Sequence, residues 1–264
     1  MAEHENLLVT TNVVKRFGGL TAVNKMNFNI ERGRIFSIIG PNGAGKTTFF
    51  NTISGIYRAD EGSIEFKGKQ IGKMSPDRIT AHRIARTFQN IRLFNSMTVV
   101  ENIMIGSHTV LKQTPIEILL RLRRFKDEEK KAELKAEELM EYVGVHGMGN
   151  ELACNLPYGA QRRVEIARAL AAQPELLLLD EPTAGMNPNE SEDALLLFQR
   201  LRDDLGIAIL LIEHDMRVVM KVSERITVMD YGEKIAEGLP KEIAANPKVI
   251  EAYLGRGAAS GLST

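Results

Sequence analysis

Short, uniformly apolar runs alternate with longer amphipathic stretches along most of the chain. Ile35 to Ile39, Leu176 to Leu179 and Ile207 to Ile212 lack polar alternation, the pattern of strands buried on both faces. Leu7 to Val14 and Ala22 to Ile30 alternate imperfectly before the turn Glu31-Arg32-Gly33, and Ser63 to Gly68 alternates like a hairpin strand. Ile84 to Gln89 reads as a further strand. Helical texture follows the third strand at Phe49 to Ile53, then recurs from Ser75, over Gly159 to Ala171 (closed by Pro174) and over Ser191 to Leu205. Thr98-Val99-Val100-Glu101 has capping-box spacing, which predicts a helix start with Thr98 as N-cap. Ile116 to Tyr142 is the longest helical region, with Leu119, Leu122, Phe125, Leu134 and Leu139 as apolar positions and a predicted break near Lys126-Asp127. Met216 to Ser223, Ile226 to Asp230 and Ile235 to Gly238 complete the sheet and its edge, Glu242 to Leu254 closes as a helix, and the Gly/Ala/Ser-rich residues from Arg256 to Thr264 are expected to fray.

Buried strands joined through helices indicate an α/β fold with a parallel sheet. A largely helical stretch, 95–155, interrupts it, leaving 1–94 and 156–264 as one core. The 264 residues, 44 % hydrophobic and 26 % charged, are those of an ordinary globular chain. Lys+Arg and Asp+Glu both number 34, so no net field recruits nucleic acid or an acidic membrane. Cys154 is the single cysteine, which excludes an intrachain disulfide; it reads as a small buried apolar residue. The acidic, polar start lacks the parts of a signal peptide, and no run approaches the ~18 apolar residues of a membrane span.

The chemistry centres on Gly40-Pro41-Asn42-Gly43-Ala44-Gly45-Lys46-Thr47-Thr48, between an apolar strand and a helix. The glycines let successive N–H groups converge on a polyphosphate at a helix N-terminus, Lys46 adds a point charge, and the Thr47 hydroxyl is suited to Mg²⁺. A second buried strand delivers Asp180 and Glu181 at its C-terminal end. A lone Asp-Glu pair there would be a helix N-cap; beside a phosphate loop, Asp180 reads as holding Mg²⁺ through water and Glu181 as accepting a proton from, or orienting, the water that attacks the γ-phosphate. His214, ending another buried strand at the same sheet edge, could hydrogen-bond that phosphate, and Gln89 carries an amide oxygen suited to the metal or the water. Phe17 lies ahead of the loop; it is either core or a platform for the adenine ring.

The order of these residues, with Leu156-Pro157-Tyr158-Gly159-Ala160 opening the helix through Leu170 and Ala184-Gly185-Met186-Asn187 after the acidic pair, resembles an ABC-transporter ATPase from Leu7 to Gly255. The resemblance implies a P-loop (RecA-like) core, an antiparallel β subdomain and the inserted helical subdomain. It gives Phe17 the adenine-stacking role, makes Gln89 the link to a membrane partner, and makes residues 156–160 the signature that caps the nucleotide of a second subunit in a head-to-tail dimer. Arg16-Phe17-Gly18-Gly19-Leu20, Asn90 to Phe94, Ala184 to Pro188, Ile212 to Met216 and Ile250 to Gly255 look like the longer ATPase subunit of branched-chain amino acid importers. That implies ATP and Mg²⁺ as cofactors, a heterodimer with a second ATPase, integral permease subunits, an extracytoplasmic solute-binding protein, and a place on the cytoplasmic face of the inner membrane. The subfamily also holds systems for urea, amides or organic acids. An exporter or lipid-extraction ATPase shares the chemistry; a soluble ABC protein acting on ribosomes or DNA usually has two cassettes or a long coiled coil, and a nucleotide sensor needs no Glu181.

One departure stands out. In the usual L-S-G-G-Q signature a serine and a glutamine stand where this chain has Pro157 and Ala160, so two polar groups are missing and the site completed by this signature is expected to be weaker. The apolar residues from Ile91 to Met97 read equally as core or as a docking surface for the membrane partner.

Overall fold

The computed structural model describes residues 6–109 and 123–254. Two sheets share one core. β1 (Asn6–Phe17), β2 (Leu20–Glu31), β4 (Glu61–Phe66) and β5 (Lys69–Gln70) form an antiparallel sheet in the order β2-β1-β4-β5. The second sheet runs β10-β9-β3-β8-β7-β6, with β3 (Ile35–Ile39), β6 (Ile84–Arg86), β7 (Leu176–Asp180), β8 (Ala208–Ile212) and β9 (Arg225–Asp230) parallel and β10 (Glu233–Gly238) antiparallel at the edge. Every residue of β3, β7 and β8 is buried, as expected of strands covered by layers on both faces.

One layer is the antiparallel sheet with α1 (Lys46–Ile53). Phe49, Phe50 and Ile53 bury one face of this helix, and Phe49 meets Phe28 edge to face at 5.9 Å. Three such side chains contribute roughly 1.5–3 kcal/mol each through burial, enough to fix an eight-residue helix that would not persist alone. The other helices are, in order, α2 (Pro76–Ala81), α3 (Val99–Gly106), α4 (Arg123–Val143), α5 (Tyr158–Ala171), α6 (Pro188–Leu205), α7 (Met216–Val222), α8 (Pro240–Ala244) and α9 (Pro247–Leu254). The opposite layer is built from α3 to α6 with one face of α7, whereas Ile79 of α2 packs on the α1 side and Ile243 of α8 and Val249 of α9 join Ile226 and Val228 of β9 in a cluster of their own. Val99 and Ile103 of α3 and Ala136, Leu139, Met140 and Val143 of α4 join Val164 and Ala167 of α5 in one apolar cluster that reaches Leu177 and Leu179 of the sheet. Among the described residues no helix is long and apolar enough to cross a membrane.

Several local expectations change. The helix over 123–143 runs unbroken through Lys126-Asp127, and Lys135 pairs with Glu138 one turn on at 2.9 Å; the earlier part of that region, with Leu119 and Leu122, lies outside the described residues, as does Arg256 to Thr264. β6 ends at Arg86 rather than Gln89, because Thr87 is the last residue to pair with β7, through Leu178 O at 3.0 Å. Met216–Val222 is a helix and not part of the sheet, started by Asp215, whose side chain accepts from Arg217 N. The closing helix is two, since Asn246 and Pro247 interrupt it. Cys154 is exposed; its neighbour Ala153 takes the buried position in a turn of 3₁₀ helix. The Thr98 capping box forms with both of its hydrogen bonds.

Candidate active site

The site assembles because three parallel strands end level. Ile38 of β3 pairs with Ile212 of β8, and Ile212 with Asp180 of β7, so the loops leaving all three start from one line. β3 is central, where ligands bind in open parallel sheets.

From β3 the chain turns through Gly40, Pro41, Asn42, Gly43, Ala44 and Gly45 into α1. Two glycines are obligatory: a Cβ on Gly40 would stand 2.0 Å from Met229 O, and one on Gly45 2.2 Å from Ala22 O, with Gly45 at φ +95°. The loop is seated on the β9–β10 turn, where Gly232 N donates to Ala44 O at 3.0 Å. No side chain caps α1, so the N–H groups of its first turn, at Lys46, Thr47 and Thr48, are open to an anion at the positive end of the helix. Lys46 Nζ donates to Gly40 O (2.7 Å) and Pro41 O (3.0 Å). Burial pushes its ammonium below the ordinary lysine value, opposed by the carboxylates of Glu181 and Asp180. Both facts place the cation among charges a polyphosphate would join.

Asp180 is buried and its Oδ2 accepts from Arg86 Nη2 at 2.8 Å, while Arg86 Nη1 also donates to Asn51 and Ser54 at the far end of α1. Glu181 follows in the left-handed region at φ +46°, held by its N–H on Ile212 O at 2.9 Å, and this turns its carboxylate across the strand ends. Glu181 Oε2 accepts from Gln89 Nε2 at 2.8 Å and lies 3.5 Å from His214 Nδ1. Gln89, Glu181 and His214 thus converge, with Asp180 adjacent in sequence. Gln89 spends its amide N–H on Glu181, which leaves its oxygen available. With the Thr47 hydroxyl and an Asp180 oxygen it makes an all-oxygen donor set that fits a hard divalent cation completed by phosphate and water.

The remaining residues lie apart from this cluster. Phe17 is half-exposed and held edge to face by Tyr57 at 5.1 Å, leaving ring surface accessible. In the segment 156–160, Leu156 is buried, Pro157 and Tyr158 are exposed, and Gly159 and Ala160 are intermediate. Pro157 is the N-cap of α5 in extended conformation (φ −57°, ψ 152°), one position before the first helical residue, Tyr158. Tyr158, a third departure from L-S-G-G-Q, packs its ring over Gly185, whose missing Cβ would lie 3.4 Å from it. In the stretch from Ile91, Phe94 is exposed and Ile91, Leu93 and Met97 are half-buried, Leu93 against the main cluster.

Three groups escaped the sequence reading. Arg86 carried no motif, yet joins the phosphate-loop helix to Asp180. Arg162 is wholly buried and donates to Phe88 O (2.6 Å), Gln89 O (2.7 Å) and Glu165 (2.8 Å), so α5 grips the backbone on either side of the Gln89 peptide. The pattern R-R-V-E places Arg162 and Glu165 one turn apart on the inner face, a spacing that could have identified the pair. Tyr253, near the end of α9, has its phenol oxygen beside Gly40 N–H of the phosphate loop; burial pushes the phenol up, and that N–H opposes the shift. Removing the acceptor in Tyr253→Phe is expected to weaken nucleotide binding by roughly 1 kcal/mol, about five-fold in Kd. Titration calorimetry with ATP checks this, and an unchanged Kd would dissociate α9 from the loop's function.

Comparison with known proteins gives the same direction. The sequence profile described as "ABC transporter" matches residues 23–184, and that described as "Branched-chain amino acid ATP-binding cassette transporter" matches residues 233–259. The high-affinity branched-chain amino acid transport ATP-binding protein BraF of Pseudomonas aeruginosa is 42 % identical over 94 % of this chain and 98 % of its own length. Its counterpart LivG of Escherichia coli K12 is 43 % identical over the same shares. The ADP conformation of MJ1267, an ATP-binding cassette of an ABC transporter, superposes with a TM-score of 0.83 at 34 % identity, covering 96 % of this chain and all of that one. A dimeric post-hydrolysis state of the cassette MJ0796, bound to ADP and Pi, gives 0.76 at 26 % identity over 88 % of this chain and 98 % of that one.

Proposed function

This chain belongs to the ABC transporter family of ATP-binding cassettes, and from that premise we propose that it is the ATP-hydrolysing motor subunit of an importer for branched-chain amino acids. The observation that carries the chemistry is the convergence of Gln89, Glu181 and His214 beside the uncapped N-terminus of the phosphate loop helix. The C-terminal match over 233–259 and the BraF and LivG relatives carry the cargo class.

In this reading the N–H groups of 43–48 and Lys46 bind the β- and γ-phosphates, and Phe17 stacks on the adenine. Thr47, Gln89 and Asp180 hold Mg²⁺, which when bound neutralises phosphate charge. Glu181 accepts a proton from water as the water oxygen bonds to the γ-phosphorus and the bond to the β-phosphate oxygen breaks, releasing ADP and phosphate. His214 donates to the γ-phosphate. Residues 156–160 cap the nucleotide of a second ATPase subunit in a head-to-tail heterodimer, and the stretch from Gln89 to Met97 meets the permease at the cytoplasmic face of the membrane. A solute-binding protein delivers cargo on the other side.

The test is to extract tagged Glu181→Gln protein in mild detergent with MgATP and identify its companions by mass spectrometry. Two different polytopic proteins and a shorter ATPase are expected; one kind of membrane protein, or ribosomal proteins, would overturn the importer reading. Uptake of labelled leucine against urea, amides and organic acids then separates the cargo classes. Pro157→Ser adds a second expectation. Serine is a strong N-cap, worth about 1 kcal/mol at a helix start, and restores a hydroxyl toward the facing phosphate. Turnover by the assembled complex should rise about two- to five-fold, and an unchanged rate would remove Pro157 as the cause of a weak site.

A further inference from the structure

We propose that Glu213 is a positioning residue for hydrolysis: one buried carboxylate that fixes both the loop carrying Glu181 and the loop carrying His214. Backbone pairing between β7 and β8 ends with Glu181 N on Ile212 O. Past that point the chains diverge, and the Glu213 side chain takes over where the ladder stops. Its Oε1 accepts from Thr183 N at 3.0 Å and from Thr183 Oγ1 at 2.5 Å, and its Oε2 accepts from His214 N at 3.1 Å. Glu181 lies between two anchored points, its own N–H on Ile212 and Thr183 on Glu213, and this span holds it at positive φ.

The chemistry of the carboxylate supports a dedicated role. Glu213 is 1 % exposed, and among the described residues its only ion-pair partner is His214, with Nδ1 at 3.8 Å. A buried carboxylate without Arg or Lys is costly. Three donors converge here, and an acceptor-only group satisfies them all; a glutamine of the same size must turn its NH₂ on one of them. The carboxylates of Glu213 and Glu181 also both lie near His214 Nδ1, at 3.8 and 3.5 Å, so one edge of the ring is set against the two loops that Glu213 joins. The loops carrying the reacting side chains are therefore referenced to one buried group.

This inference rests on the ATPase reading, so wild-type and Glu181→Gln complexes are measured first; a wild type no faster than Glu181→Gln would sink that reading rather than this one. Given wild-type turnover, Glu213→Gln is expected to lower kcat about 10- to 100-fold, the scale of a misplaced reactive group, with KM for MgATP within about two-fold of wild type. Thr183→Val should fall comparably and Thr183→Ser, which keeps the hydroxyl, should recover most of the rate. The double variant Glu213→Gln/Thr183→Val should be no slower than the slower single, because both break one contact. The inference is overturned by a Glu213→Gln kcat within about two-fold of wild type, by KM rising in step with the loss, or by a double variant whose loss is the product of the two. If Glu213→Gln does not fold, the contrast between Thr183→Val and Thr183→Ser decides: equal rates overturn it.

Discussion

Glu181→Gln is expected to lower ATP turnover by at least about 10²-fold, the lower bound for removing a general base, while nucleotide affinity changes little. The substitution preserves shape. The amide oxygen can still accept from Gln89, 2.8 Å away in the native site, and the backbone bond to Ile212 O does not involve the side chain. What is lost is the basicity that receives a proton from water. The complex should accumulate with ATP uncleaved, measured as phosphate release against nucleotide retained after rapid gel filtration. A rate within about ten-fold of wild type would exclude Glu181 as the base and transfer that role to His214, 3.5 Å away.

Arg86→Leu should be the most damaging single change for stability among those considered. It leaves buried Asp180 without its ion-pair partner, and also removes the donors to Asn51 and Ser54. Breaking a buried pair from one side costs about 3–5 kcal/mol, which for a domain of this size is a fall in Tm of roughly 6–20 °C. Adding Asp180→Leu to Arg86→Leu should restore part of that loss, because the orphaned charge goes with it. Differential scanning calorimetry on the three proteins checks this. Equal Tm values for the single and double variants would locate the cost in Asn51 and Ser54 instead.

Much of this site was legible in the sequence because its elements obey local rules. The glycines, Lys46 and Thr47 lie within nine residues, and Asp180 and Glu181 follow an unbroken apolar strand, so spacing alone reveals them. Gln89 and His214 were weaker signals, raised only by their place at strand ends. Arg86, Arg162 and Glu213 were invisible for a common reason: their partners come from segments distant in sequence, and the value of each lies in a buried pairing that no local pattern encodes. The same limit explains the misread elements. Apolar Met216 to Val222 satisfies either period over so short a stretch, and the N-cap bond from Asp215 decides for helix. Cys154 and Ala153 sit side by side in one turn, and composition could not say which of the two small residues faces inward.

The strand order also governs how the molecule is made. β3 carries the phosphate loop, but its two neighbours, β8 and β9, leave the ribosome only after about 170 further residues. At ~5–20 residues per second, that interval is roughly 10–35 s of synthesis. During it β1, β2 and β4 can close their antiparallel sheet and seat α1, whereas β3 waits with both edges unpaired. The nascent chain thus holds a strand destined for full burial open for that whole interval, a window in which chaperone capture competes with aggregation.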